Sequence, residues 1–201
     1  MVRAAGLLIC ADGGLRAARR LGVRPQAAIG DFDSAPPGLR TWAARAGARI
    51  VVHPVEKDKT DTELAVDYAI AAGARAIDFL GALGGRLDHE LANVALLLKA
   101  RAAGVVMSIR DGRIIAFLAQ RRSPLPAVPG DRVSLLPVSS RVTGITTSGL
   151  FYRLHRATLS RGSTRGISNR VTSRRPVISH TAGDLLVIIT RGRGTGPANR
   201  S

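Results

Sequence analysis

Apolar residues along the chain fall into short runs separated by glycine, proline and acidic turns, and their spacing changes once, near residue 120. Before that point, strand and helix periods alternate. Residues 4–11, 27–29, 49–53 and 76–80 are compact apolar or β-branched runs and predict buried strands. Between them, residues 15–21, 37–46, 60–72 and 88–103 carry helical spacing, with Leu39, Trp42, Ala43 and Ala46 on one face and Leu91, Val94, Ala95 and Leu98 on another. Thr60 followed by Glu63 predicts a capping box at the start of the third helix. A repeated strand, loop and helix predicts an α/β domain over residues 1–120, Rossmann-like and three-layered with a mostly parallel sheet.

Residues 105–110 and 113–118 flank Asp111-Gly112, which predicts a hairpin. Pro124, Pro126, Pro129 and Gly130 predict a linker over 119–130. Beyond Asp131 the helical period disappears. Residues 132–136, 141–146, 150–154, 156–160, 174–180 and 184–190 predict short strands, hence an all-β domain over 121–192, a sandwich or barrel. Residues 193–201, rich in glycine and arginine, predict a frayed tail.

Composition adds three constraints. The hydrophobic fraction of 45% in 201 residues supports packed cores, and with aromatics at 3% those cores must be aliphatic. No apolar run is long enough to cross a bilayer and no charged-then-apolar leader is visible, so a cytoplasmic protein is expected. Cys10 is the single cysteine, which excludes an internal disulfide. The net charge of +16 is uneven: residues 1–118 hold 16 basic and 12 acidic side chains, residues 119–201 hold 14 and 2. Every basic residue of the C-terminal stretch is arginine, with few aromatics interleaved. That is poor chemistry for stacking bases, so a nucleic-acid partner is not expected.

The candidate chemistry lies at the strand-to-helix turns, where open α/β sheets bind ligands. Gly30-Asp31-Phe32-Asp33-Ser34 places two carboxylates one residue apart. Their repulsion needs a cation or a proton, and a hard divalent metal such as Mg²⁺ is a natural occupant, although these five residues alone suit a solvated turn equally well. Lys57-Asp58-Lys59-Thr60-Asp61 adds acids at a helix start, where the macrodipole alone also favours them. Gly81-Ala82-Leu83-Gly84-Gly85-Arg86-Leu87-Asp88-His89 adds glycines that admit a close ligand and an arginine suited to phosphate. Asp31, Asp33, Asp58, Asp61 and Asp88, with Lys57 and Arg86, fit a magnesium-nucleotide site.

These motifs, together with Asp12-Gly13-Gly14, Gly149-Leu150-Phe151-Tyr152-Arg153-Leu154 and Gly166-Ile167-Ser168-Asn169, occur in the order and spacing of the thiamine pyrophosphokinase family, which the chain resembles over residues 6–190. The resemblance implies transfer of pyrophosphate from ATP to the hydroxyl of thiamine, giving thiamine diphosphate and AMP. It implies an α/β domain for Mg-ATP, a β domain, and thiamine held between the subunits of a homodimer. By motif, Asp31, Asp33 and Asp61 would hold Mg²⁺, and Asp58 and Asp88 would complete the acidic wall, either being a candidate proton acceptor. Asp12, Gly13, Lys57, Thr60 and Arg86 would line the nucleotide and phosphate path. Ser168, Asn169 and Tyr152 would meet thiamine.

Three alternatives accompany that expectation: a pyrophosphokinase for another alcohol such as a pterin, a binding protein without turnover, and an arginine-rich RNA binder. Members of the family usually carry a further strand and glycine loop ahead of the first strand here, so a start codon placed too late is also expected.

Overall fold

The computed structural model describes residues 5–33, 36 and 38–192. The expected beginnings of the first strand at Ala4 and of a helix at Pro37, the turn residue Ser34 and the tail 193–201 lie outside the described residues. The chain divides into two compact units, one of Met1–Ile77 with Gly85–Val106, the other of Asp78–Gly84 with Met107–Ser201.

The first unit contains a parallel sheet of β1 (Ile9–Ala11), β2 (Ala27–Gly30) and β3 (Arg49–Val52), in that order. Its central strand, Ala-Ala-Ile-Gly, is buried throughout, and its small side chains let helices approach closely. Four helices belong to this unit: α1 (Gly14–Arg20), α2 (Leu39–Arg45), α3 (Asp61–Ala71) and α4 (Leu87–Ala102). α1 packs on β1 and α2, while α3 packs on β1, β2 and α4. One apolar cluster gathers Cys10, Leu15, Ala28, Phe32, Leu39 and Ala43. α3 begins as its sequence predicts, with the Thr60 hydroxyl accepting the Glu63 N–H at 3.1 Å. The reciprocal half of the box is not made by Glu63, whose carboxylate takes the Lys99 ammonium at 2.7 Å instead.

The second unit is mostly antiparallel. One sheet has the order β11 (Asn169–Arg170), β8 (Arg132–Pro137), β13 (Leu185–Thr190), β6 (Ile114–Leu118), β5 (Val106–Asp111), β4 (Ala76–Leu80). The other has the order β10 (Ala157–Ser160), β9 (Arg141–Ser148), β12 (Val177–Ser179), β7 (Arg122–Pro124). Both sheets feed one core, with Val133, Leu135 and Ile189 from the first and Val142, Ile145 and Ile178 from the second. Each such side chain contributes about 1.5–3 kcal/mol on burial.

Several expectations change here. Neither sheet closes on itself, so the described residues form no barrel. β4, β5 and β6, expected inside the α/β domain of residues 1–120, join the larger, mostly antiparallel sheet, because β6 pairs with β13 along its length from Ile114 to Leu118. The expected linker contains β7, and Leu125 and Ala127 enter the core. Its prolines mislead because Pro124 sits on an edge strand, where a missing N–H is tolerated. Residues 150–154 form no strand; Leu150 makes an isolated bridge to Val171, the Phe151 N–H donates to the Arg170 carbonyl and the Leu154 carbonyl accepts the Thr147 N–H.

Candidate functional site

β2 ends at Gly30 with φ at +154°, where a Cβ would lie 3.2 Å from Asp12 Cβ and 3.3 Å from Asp61 Cγ. The end of β1, the end of β2 and the first residue of α3 therefore converge on a position where any side chain would crowd both aspartates. Asp12 is registered there by its N–H, which donates to the Ile29 carbonyl at 2.9 Å. After Asp31 the chain turns through Phe32 at φ +60°, whose ring is buried in the apolar cluster with Leu15 and Leu39. The Asp33 N–H then donates back to Asp31 Oδ1 at 3.2 Å, closing an Asx turn. Asp12, at φ +33°, is also left-handed. Two non-glycine residues in this conformation within one site store strain of about 1 kcal/mol or more each.

Charge gathers around Lys57. Its ammonium donates to Asp31 Oδ2 at 2.7 Å and to the Pro54 carbonyl at 3.0 Å, and lies 3.1 Å from Asp61 Oδ1. The Asp61 contact is a charge contact only: Oδ1 is buried and accepts no well-directed hydrogen bond. The Lys57 hydrogen bond, followed by the Asp33 N–H, holds the Asp31 carboxyl below its ordinary pKa. The Asp31 hydrogen bond in turn raises that of Lys57, against the opposing effect of burial. Two carboxylates and a carbonyl thus present hard oxygens to one cationic position, a donor set that suits a hard divalent ion. Among the described residues, no group of three or more His, Cys, Asp or Glu side chains is assembled for a metal.

The other sequence-predicted residues of this unit are more open. Asp58 and Thr60 are exposed. Arg86 grips Asp88 through two hydrogen bonds, Nη2 to Oδ2 at 2.6 Å and Nε to Oδ1 at 3.2 Å, with both side chains more than half exposed. That grip, ahead of all else, lowers the Asp88 pKa. Gly13 and Gly85 have ordinary φ, and a Cβ on either would meet nothing within 4 Å. Neither conformation nor packing requires glycine at these two positions, so backbone access to a ligand is a reason that remains. The loop with Asp58, Thr60 and Asp61 is also tied down by Lys59, 2.9 Å from Asp67, which itself takes Lys99 of α4 at 2.6 Å.

In the β unit, Asn169 is buried and its amide is engaged through both oxygen and nitrogen. Oδ1 accepts the N–H groups of Tyr152 and Arg170, each at 2.9 Å, and Nδ2 donates to the Tyr152 carbonyl at 2.6 Å. Asn169 thereby pins a pair of exposed aromatics, Phe151 and Tyr152, packed edge to face at 4.9 Å. The Arg170 guanidinium lies 4.1 Å above the Phe151 ring. Ser168 is exposed at φ +58°, with its N–H donating to Ser134 Oγ at 3.1 Å. Sequence reasoning missed the anchoring role of Phe32, whose signal is an apolar aromatic inside an acidic turn.

The catalytic-domain model of thiamin pyrophosphokinase matches residues 1–109, and the vitamin B1 binding domain model of the same enzyme matches residues 123–185. The chain belongs to the thiamine pyrophosphokinase family. A thiamine pyrophosphokinase of Bacillus subtilis is 31% identical over 169 residues, covering 83% of this chain and 79% of that protein. A rice member is 27% identical, with 83% and 72% covered. Among solved structures, that of the B. subtilis enzyme superposes with a TM-score of 0.84 at 28% identity, covering 92% of this chain and 87% of the other. The Geobacillus thermodenitrificans enzyme gives 0.80 at 34% identity, with 94% and 87% covered. The chain is therefore an enzyme of ATP-dependent pyrophosphoryl transfer.

Proposed function

We propose that the chain transfers the terminal pyrophosphate of ATP to the hydroxyl of thiamine, with the Asp31, Lys57 and Asp61 cluster as the centre of its nucleotide site. The single observation that carries the site assignment is the convergence of both carboxylates on one cationic position beside Gly30. Asp31 and Asp61 would hold Mg²⁺, with Asp33 beside them in the same turn. When bound, the metal neutralises polyphosphate charge and orients it for displacement. Asp12 and the backbone at Gly13 and Gly85 line the nucleotide path, and Lys57, Thr60 and Arg86 line the phosphates.

The chemistry itself asks for positioning and charge balance rather than covalent catalysis. The thiamine oxygen attacks the β-phosphorus of ATP, the bond to the α–β bridging oxygen breaks, and AMP leaves with that oxygen. The hydroxyl proton must pass to a base. Asp88 is weakened for that role by the Arg86 grip, which leaves Asp58 as the proton acceptor in this reading. Ser168, Asn169 and Tyr152 of the β unit are the residues that meet thiamine in this reading. Asn169 contributes by holding the Tyr152 backbone.

The shared core of the two antiparallel sheets supports a sandwich, and the exposed Phe151 and Tyr152 support a homodimer. Cytoplasmic ATP and Mg²⁺ make the cytoplasm the proposed compartment; no helix among the described residues is long and apolar enough to cross a membrane. The experiment is AMP release from Mg-ATP with thiamine, a pterin alcohol or no acceptor. Release that requires thiamine and Mg²⁺ is expected. Release with the pterin alone would move the chain to another alcohol.

A further inference from the structure

We infer that Asp111 is a positioning residue for the glycine-rich loop after β4, fixing its backbone in advance for a polyphosphate. The inference rests on the nucleotide reading of that loop. The Asp111 carboxylate accepts the N–H of Leu83 at 2.9 Å, across 28 residues of chain. Leu83 lies between Gly81 at φ +69° and Gly84 at φ +91°, two left-handed positions that bend the loop around it. A Cβ on Gly81, Gly84 or Gly85 would meet nothing within 4 Å, so the glycines face open space, while the neighbouring Ala82 is buried. The tether therefore holds the loop from its inner side and leaves the outer side accessible.

Asp111 is a firm anchor for geometric reasons. It is the last residue of β5 and pairs with Ile114 across the hairpin, leaving Gly112-Arg113 as the two-residue loop. The other nearby acid is committed elsewhere: Asp78 takes Ser108 Oγ at 2.6 Å and Arg110 Nε at 2.7 Å. A segment with three glycines loses much backbone freedom when a ligand orders it. A bond already made by the fold removes some of that loss from the binding step. Asp111 also falls between the two matched family regions, which end at residue 109 and resume at residue 123.

The test is steady-state kinetics of the full chain with ATP and thiamine varied separately, alongside thermal melting. Asp111→Ala should raise KM for ATP about tenfold, the size of one hydrogen bond to a charged group, with KM for thiamine and Tm nearly unmoved. Asp111→Asn keeps an oxygen acceptor for Leu83 and should restore KM to within about twofold of wild type. Asp78→Ala, in the same sheet, should leave KM for ATP as it is. A wild-type KM for ATP in Asp111→Ala overturns the inference. So does a rise in both KM values that follows a fall in Tm and is not rescued by Asn. A wild-type chain that neither binds nor turns over ATP overturns the nucleotide reading, and this inference with it.

Discussion

In the α/β unit, Asp31 and Asp61 share one lysine at the end of a parallel sheet, whereas in the β unit Asp131 holds backbone N–H groups and Asp184 closes on the Ser139 hydroxyl. Asp131 is almost fully buried and accepts from the Val128 and Gly192 N–H groups and from Arg191. Burial works against its ionisation, yet these donors prevail and hold its pKa below the ordinary carboxylate value. Asp184 exchanges hydrogen bonds with Ser139. The cores differ in the same sense. Small side chains such as Cys10, Ala18, Ala28 and Ala43 dominate the cluster of the first unit, and Leu, Ile and Val the core of the second. One unit carries strained backbone and concentrated charge at the ends of its parallel strands. In the other, Asp131 and Asp184 are committed to its own architecture.

The sharpest way to break this contrast is to neutralise one acid in each unit. Asp61→Asn should lower turnover about 10³-fold, the scale on which phosphoryl transfer responds to lost charge neutralisation, while circular dichroism and Tm hold. Asp131→Ala should do the reverse, costing about 3 kcal/mol in urea unfolding with KM values unchanged. Its pH dependence has a definite sign. The folded pKa is depressed, so the stabilisation is complete above the unfolded carboxylate value of about 4 and is lost as pH falls through the folded value. Gly30→Ala should cost about 2 kcal/mol from its backbone conformation, and should impair turnover because Asp12 and Asp61 must give way. Asn169→Ala is the smallest change, about 1 kcal/mol in stability, with KM for thiamine raised and KM for ATP unmoved. A thiamine KM equal to wild type would leave Asn169 a purely structural residue.

The sequence made the helices, the parallel strands and the acidic turns legible because each is a local pattern. Thr60 and Glu63 announce the start of α3, and the cap forms. Three features were hidden because they depend on partners far along the chain. Nothing local says that β6 will pair with β13, that Asp111 will reach Leu83, or that Asn169 will close on Tyr152. The prolines of 119–130 read as a linker until the edge position of β7 explains them. At the site, the acids and Lys57 were legible as residue types in order. Their arrangement was not, since Gly30 and the buried ring of Phe32 set it in three dimensions.

The most direct test is product analysis after incubation of the purified chain with Mg-ATP and thiamine. Pyrophosphate transfer predicts AMP and thiamine diphosphate in equal amounts, with neither formed when Mg²⁺ is withheld. ADP with thiamine monophosphate, or AMP without a thiamine product, would contradict the account.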